Sequence, residues 1–263
     1  MLFSEFDRCL YRRSPLIEVI CQIRFPTILS ISAKEPAEFQ EAIRHSFPQY
    51  AARQEQPAPR VTAVENGVPK VTQQPAVTNY NFVSQDNLWK VNLTNSFIAL
   101  STLRYTRWED FAQKLDKTLA AFIQIYKPDF FERVGLRYIN AVSKENLGLG
   151  DLLWDDLIQS PYLGILGEPD VDEKDVNKCA VDVETRLQDD CRLKLHAGPG
   201  LLGGGKKDPR PRFILDMDLS AAGKLTPEQL PHKLETLHHL AGGLFHGAVT
   251  DELHNAMGPM AVD

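Results

Sequence analysis

LIEVICQIRF, residues 16–25, sets Ile17, Val19, Cys21, Ile23 and Phe25 on one side of an extended chain, and Glu18, Ile20, Gln22 and Arg24 on the other. A period of two marks a half-buried strand, because successive strand side chains point to opposite faces. FFERVGLRYINAV (130–142) reads as a second strand. Between them, KEPAEFQEAIRHSF places Phe39, Ile43 and Phe47 four apart, an amphipathic helix that ends before Pro48. Prolines 48, 57, 59, 69 and 75 then leave room only for short strands or open loop. Residues 78–106 read as three strands of an antiparallel meander, turned at Asp86-Asn87 and Asn95-Ser96. RWEDFAQKLDKTLAAFIQIY carries Trp108, Phe111, Leu115, Leu119 and Phe122 on one stripe, the pattern of a long helix.

The second half follows the same order. DLLWDDLIQSPYLGIL reads as helical turns. KCAVDVETRLQ, CRLKLHAG and RPRFILDMDLS read as three strands, separated by Asp189-Asp190 and by a glycine-rich loop. A last helix is expected from Thr226 as cap, Pro227 as first helical residue and Gln229 as capping-box partner. The expected fold is α+β: a duplicated unit of strand, helix, three or four strands and helix, divided at 1–128 and 129–263 and merged into one compact domain. Its curved antiparallel sheet would carry the long helices on one face, with the outline of the TATA-binding protein.

The chain has 263 residues, 43% of them apolar and 24% charged, and 23 aromatic side chains, which is too much apolar surface for a disordered protein. No apolar run reaches the roughly 20 residues needed to cross a bilayer, and MLFSEFDRCLYRR lacks the core of a secretory signal. A cytoplasmic protein without membrane association is expected. Its four cysteines, Cys9, Cys21, Cys179 and Cys191, form no CxxC and read as reduced thiols. Net charge is −6, with residues 1–128 at +3 and 129–263 at −9. A duplex-DNA binder normally shows a strongly basic domain, which this balance does not supply.

Four phrases, SPLIEVICQIRFP (14–26), RYTRWEDF (104–111), RVGLRYINAV (133–142) and AVTDELHNAMGP (248–259), resemble an uncharacterised bacterial family of sporadic distribution. They span nearly the whole chain in that family's order. The family has no established activity to carry over. Its patchy occurrence implies a mobile or defence-associated gene neighbourhood and a partner protein encoded nearby.

Several groups of residues bear on chemistry. Gly200 to Lys206 matches the first seven positions of GxxxxGK[ST], but Lys207 replaces the magnesium-binding hydroxyl and DPRP follows instead of a helix. The segment reads as a hairpin loop in which Lys206, Lys207, Arg210 and Arg212 can meet an anionic partner. Asp182 and Glu184 on one strand and Asp216 and Asp218 on another face away from the apolar side. Four such carboxylates would suit Mg²⁺ or Mn²⁺ in a phosphodiester enzyme, whereas Arg192, Lys194 and His196 between them suit cross-strand ion pairs. His232, His239 and His246 share a helix face at spacings too long for one zinc ion. Arg24, Arg104, Arg133 and Arg137 suggest a basic sheet face for phosphates or an acidic partner, or else ordinary pairing with Glu18 and Glu132. Tyr80, Phe82, Trp89, Tyr105 and Tyr138 are stacking platforms or core. No catalytic triad or nucleophile elbow is recognisable. The reading is a non-enzymatic interaction protein that needs no cofactor and is open to self-association. Nucleic-acid binding through the curved sheet and metal-dependent hydrolysis are the alternatives.

Overall fold

The computed structural model of the chain describes residues 3, 7–56, 58–65, 68–205 and 210–262. In chain order the strands are β1 (Cys9–Tyr11), β2 (Leu16–Arg24), β3 (Gln49–Glu55), β4 (Arg60–Glu65), β5 (Val68–Thr72), β6 (Val77–Val83), β7 (Trp89–Leu93), β8 (Phe97–Thr102), β9 (Phe131–Val142), β10 (Val181–Arg186), β11 (Cys191–Gly200), β12 (Arg212–Leu225) and β13 (Pro259–Ala261). The helices are α1 (Leu29–Ala33), α2 (Ala37–Ile43), α3 (Trp108–Tyr126), α4 (Lys144–Leu147), α5 (Trp154–Leu157), α6 (Leu230–Ala248) and α7 (Asp251–Met257).

Nine strands form one antiparallel sheet in the order β10-β11-β12-β9-β2-β8-β7-β6-β3. The two strands whose alternation is clearest in the sequence, β2 and β9, lie side by side at its centre, with Val19 opposite Tyr138 and Arg24 opposite Arg133. Each presents an apolar row to the same side: Val19, Cys21 and Ile23 from β2, and Val134, Leu136 and Tyr138 from β9, all buried. The stripes of α3 and α6 cover that side. Phe122 of α3 lies 4.7 Å from the Phe25 ring, and Trp108 of α3 stacks on His238 of α6 at 4.4 Å. Each fully buried large side chain contributes about 1.5–3 kcal/mol, so this one-sided layer is the main source of stability.

The α6 helix starts later than the sequence suggests. Residues 227–229 form a turn, Gln229 occupies the cap position and its Oε1 accepts the Thr226 N–H at 3.0 Å. The reason is Pro231. In a helix begun at Pro227 its ring would press on the carbonyl four residues back, whereas in a helix begun at Leu230 it falls in the first turn, where proline is tolerated. The residues after Phe25 also form a short helix, α1, absent from the periodicity reading. Within 48–75 the chain forms edge strand β3 and a separate hairpin of β4 and β5.

The C-terminal tail docks on its own chain. Thr250 caps α7 by accepting the Leu253 N–H, and β13 pairs with β1. All four cysteines are free thiols. No helix among the described residues is long and apolar enough to cross a membrane.

Candidate functional site

The face of the sheet opposite the helices carries the residues singled out by their strand alternation. Arg133 and Arg137 of β9 lie on it beside Asp216 and Asp218 of β12. Arg137 donates to both carboxylate oxygens of Asp216, at 2.7 and 2.5 Å, and this carboxylate raises the arginine's pKa further. Arg133 donates to Asp218 at 3.2 Å and to Gln22 Oε1 at 3.4 Å. Further out, Lys194 of β11 bonds Glu184 of β10 at 2.5 Å, and His196 Nδ1 lies 2.8 Å from Asp182 Oδ1.

The four carboxylates thus share one face, each bonded to a basic side chain on a neighbouring strand. Among the described residues no three His, Cys, Asp or Glu side chains come together as metal ligands do. The partners of Arg133 and Arg137 are Asp218 and Asp216, not Glu18 and Glu132: strand β12 inserts beside β9 and brings opposite charges into register, Asp218 facing Arg137 directly. Arg24 joins this face next to Arg133. Arg104 does not. Strand β8 ends at Thr102, and Arg104 sits in the following loop, its backbone N–H bonded to Thr102 Oγ1. Lys206 and Lys207 lie outside the described residues.

Between the ion pairs the open face carries Ile20, Ile139 and Ile214, with Phe97 beside Arg24. All four are half-buried and none belongs to the core under the helices. Toward the other edge amides bridge the strands: Asn92 donates to Asn79 and Asn81 across β7 and β6, and Asn79 donates to Glu55 of β3. The aromatic residues do not contribute platforms here. Tyr80, Phe82 and Tyr138 are buried on the helix side, and Trp89 and Tyr105 pack against the same core.

The helix side contains a second polar grouping. A cavity of about 530 Å³ lies between the N-terminal residues 8–16, the start of α3, helix α6 and the centre of the sheet. Here Tyr138 OH and His238 Nδ1 share a hydrogen bond of 2.8 Å, and Trp108 Nε1 donates to Glu235 at 2.5 Å. Burial, helped by the charges of Arg8 and His239, lowers the His238 pKa to about 4, so its ring is neutral near pH 7. Burial also raises Tyr138 and Tyr105 well above the ordinary tyrosine range. Arg8 is fixed at the mouth by two bonds to Glu109, 2.6 and 2.9 Å, which lower the Glu109 pKa to about 2. Exposed His239 and Glu235 complete the polar part of the lining.

The histidines of α6 divide. His232 and His239 are exposed, as their helix face predicts, and His246 meets the ring of His254 from α7 at 5.4 Å. Sequence reasoning missed His238, Glu235 and Asn140. One signal was present: Asn140 breaks the apolar side of β9, standing in the row Val134, Leu136, Tyr138, Val142.

Comparison with known proteins finds no family model that matches the chain, and no curated protein matches it.

Proposed function

We propose that the protein is a non-enzymatic interaction protein that docks a folded partner protein on the open face of its sheet. The observation that carries this reading is the layout of that face. Half-buried Ile20, Ile139 and Ile214 form its middle, flanked by cross-strand ion pairs of both signs. An apolar centre inside a polar rim is the anatomy of protein–protein interfaces. Arg133 and Arg137 are already bonded to carboxylates, which reduces what they can offer a polyanion. In keeping with the family resemblance, the partner is the product of a neighbouring gene in a mobile or defence-associated module.

The proposal extends to the origin of the sheet. Counted outward from the β2–β9 pair, one half runs β2-β8-β7-β6-β3 and the other β9-β12-β11-β10, and each half closes with a helix of 19 residues. This order supports an internal duplication with the saddle outline of the TATA-binding protein.

The test is co-purification with each neighbouring gene product, for the wild type and for Ile20→Asp/Ile139→Asp. A stoichiometric complex is expected for the wild type and not for the variant, whose melting temperature stays near the wild-type value. A complex that survives the double substitution, or none with any neighbour, would overturn the reading.

A further inference from the structure

We infer that the cavity under the N-terminal segment is a binding site for a small, flat, ring-bearing molecule with one anionic group, such as an aromatic carboxylate. It lies on the helix side of the sheet, away from the docking face, and its volume of about 530 Å³ falls in the range of small-molecule sites, about 300–1,000 Å³.

Three features of the lining define the ligand. Aromatic rings from separate elements, Tyr11, Tyr105, Tyr138 and Phe245, line the space, which favours a flat hydrophobic body. At the floor stands Asn140, only 2% exposed in a layer of apolar side chains. Its Nδ2 donates to Leu215 O at 3.2 Å, and no hydrogen bond among the described residues reaches its Oδ1. Asn140 is one of the residues that line the cavity, and an amide oxygen without a protein donor can accept from a ligand N–H or O–H there. At the rim, Arg12 has no acidic partner among the described residues, whereas its neighbour Arg8 is engaged by Glu109. Arg12 is therefore the cation available to an anionic group, and Asn140 the acceptor for an N–H or O–H at the buried end.

Neutral His238, braced by Tyr138 at Nδ1 and stacked on Trp108, adds a rigid wall that stays uncharged near pH 7.

The probes are anilinonaphthalene sulfonate, followed by its fluorescence, and 2-naphthoate as competitor, with 2-naphthylmethanol as the uncharged counterpart. The full-length protein is expected to bind one probe molecule, displaced by 2-naphthoate. Ala241→Phe, which fills the cavity from α6, should abolish displaceable binding. Arg12→Ala should weaken 2-naphthoate about tenfold and leave 2-naphthylmethanol unchanged, as loss of one charge-assisted contact predicts. Amide hydrogen exchange of the wild type gives a readout that does not depend on a variant folding: 2-naphthoate should slow exchange in residues 8–16 and 235–245. Unaltered binding in folded Ala241→Phe, or slowing confined to other segments, would overturn the site. Equal affinity for the acid and the alcohol would overturn the anionic part.

Discussion

Replacing His238 with phenylalanine is expected to flatten the acid limb of the stability profile. The folded protein holds this imidazole at about pKa 4, against about 6.5 for an exposed histidine. The groups that set this value come from every side: the Tyr138 hydroxyl from β9, Trp108 and Glu109 from α3, Arg8 from the N-terminal segment and His239 from α6. Burial foremost, then Arg8 and His239, oppose protonation, and Glu109 only partly offsets them. Below about pH 6.5 the unfolded chain therefore takes up a proton that the folded chain refuses until about pH 4. Stability is complete above the unfolded pKa and falls as the pH drops through this window. Between about pH 7.5 and 5.0 linkage gives a loss of about 2 kcal/mol from this one residue. Phenylalanine keeps a ring against Trp108 but removes the bond to Tyr138, which costs about 1–3 kcal/mol at neutral pH. Urea unfolding at both pH values and equal ionic strength separates the two effects. The variant should start less stable and lose about 2 kcal/mol less than the wild type on acidification. An equal loss in both proteins would refute the assignment of a refused proton to His238.

Two further predictions concern the second half of the chain. Lys144 is buried, bonded to Glu173 at 2.7 Å and seated 4.2 Å over the Trp154 ring, while Glu173 also accepts the Trp154 N–H at 2.8 Å. Glu173→Ala leaves that ammonium without its counter-charge and should cost about 3 kcal/mol, read as a lowered melting temperature that Lys144→Met partly restores. A melting temperature equal to the wild type would show that the pair carries no weight. Gly198 has a φ of +155°, and a Cβ there would stand 2.4 Å from Cys179 O and 3.0 Å from Ala180 Cα. Gly198→Ala should destabilise by about 1–3 kcal/mol and speed amide exchange in β10 and β11, and unchanged exchange there would count against this close backbone approach.

The long elements were legible because their periods are clean over many residues. Strands β2, β9, β11 and β12 and helices α3 and α6 fall where alternation or a 3.6-residue stripe places them. The start of α6 departs from the cap chemistry at Thr226 because Pro231, five residues on, is tolerated only in a first turn. The ion pairs were half legible. Alternation tells which face a side chain takes, so Asp182, Glu184, Asp216 and Asp218 were correctly grouped with Lys194 and His196. It does not tell which strand lies alongside, so the partners of Arg133 and Arg137 were assigned to Glu132 and Glu18 when β12 supplies them. Arg104 failed for a local reason: the extended chain turns away after Thr102, and a residue beyond the strand no longer obeys its alternation.

The cavity was the least legible feature, since its polar groups come from segments far apart in the chain. Tyr138 and His238 are 100 residues apart, and Trp108 and Glu235 are 127. Periodicity places His238 beside the buried stripe of α6, next to Leu237, and there a histidine looks like a boundary residue. The informative residue is the one out of phase. An apolar side of a strand gains nothing from an asparagine, because the amide must shed water and find new partners there. Asn140 finds one for its donor in Leu215 O, and the residue lines the cavity. On the other side of the same strand the exceptions have the opposite sense: Ile20 and Ile139 stand half-buried among ion pairs. A polar residue on the buried side and apolar residues on the open side are two departures from one alternation rule. Only the first is costly for stability, since an isoleucine suits a pleated, half-buried surface, so Asn140 is the more informative of the two.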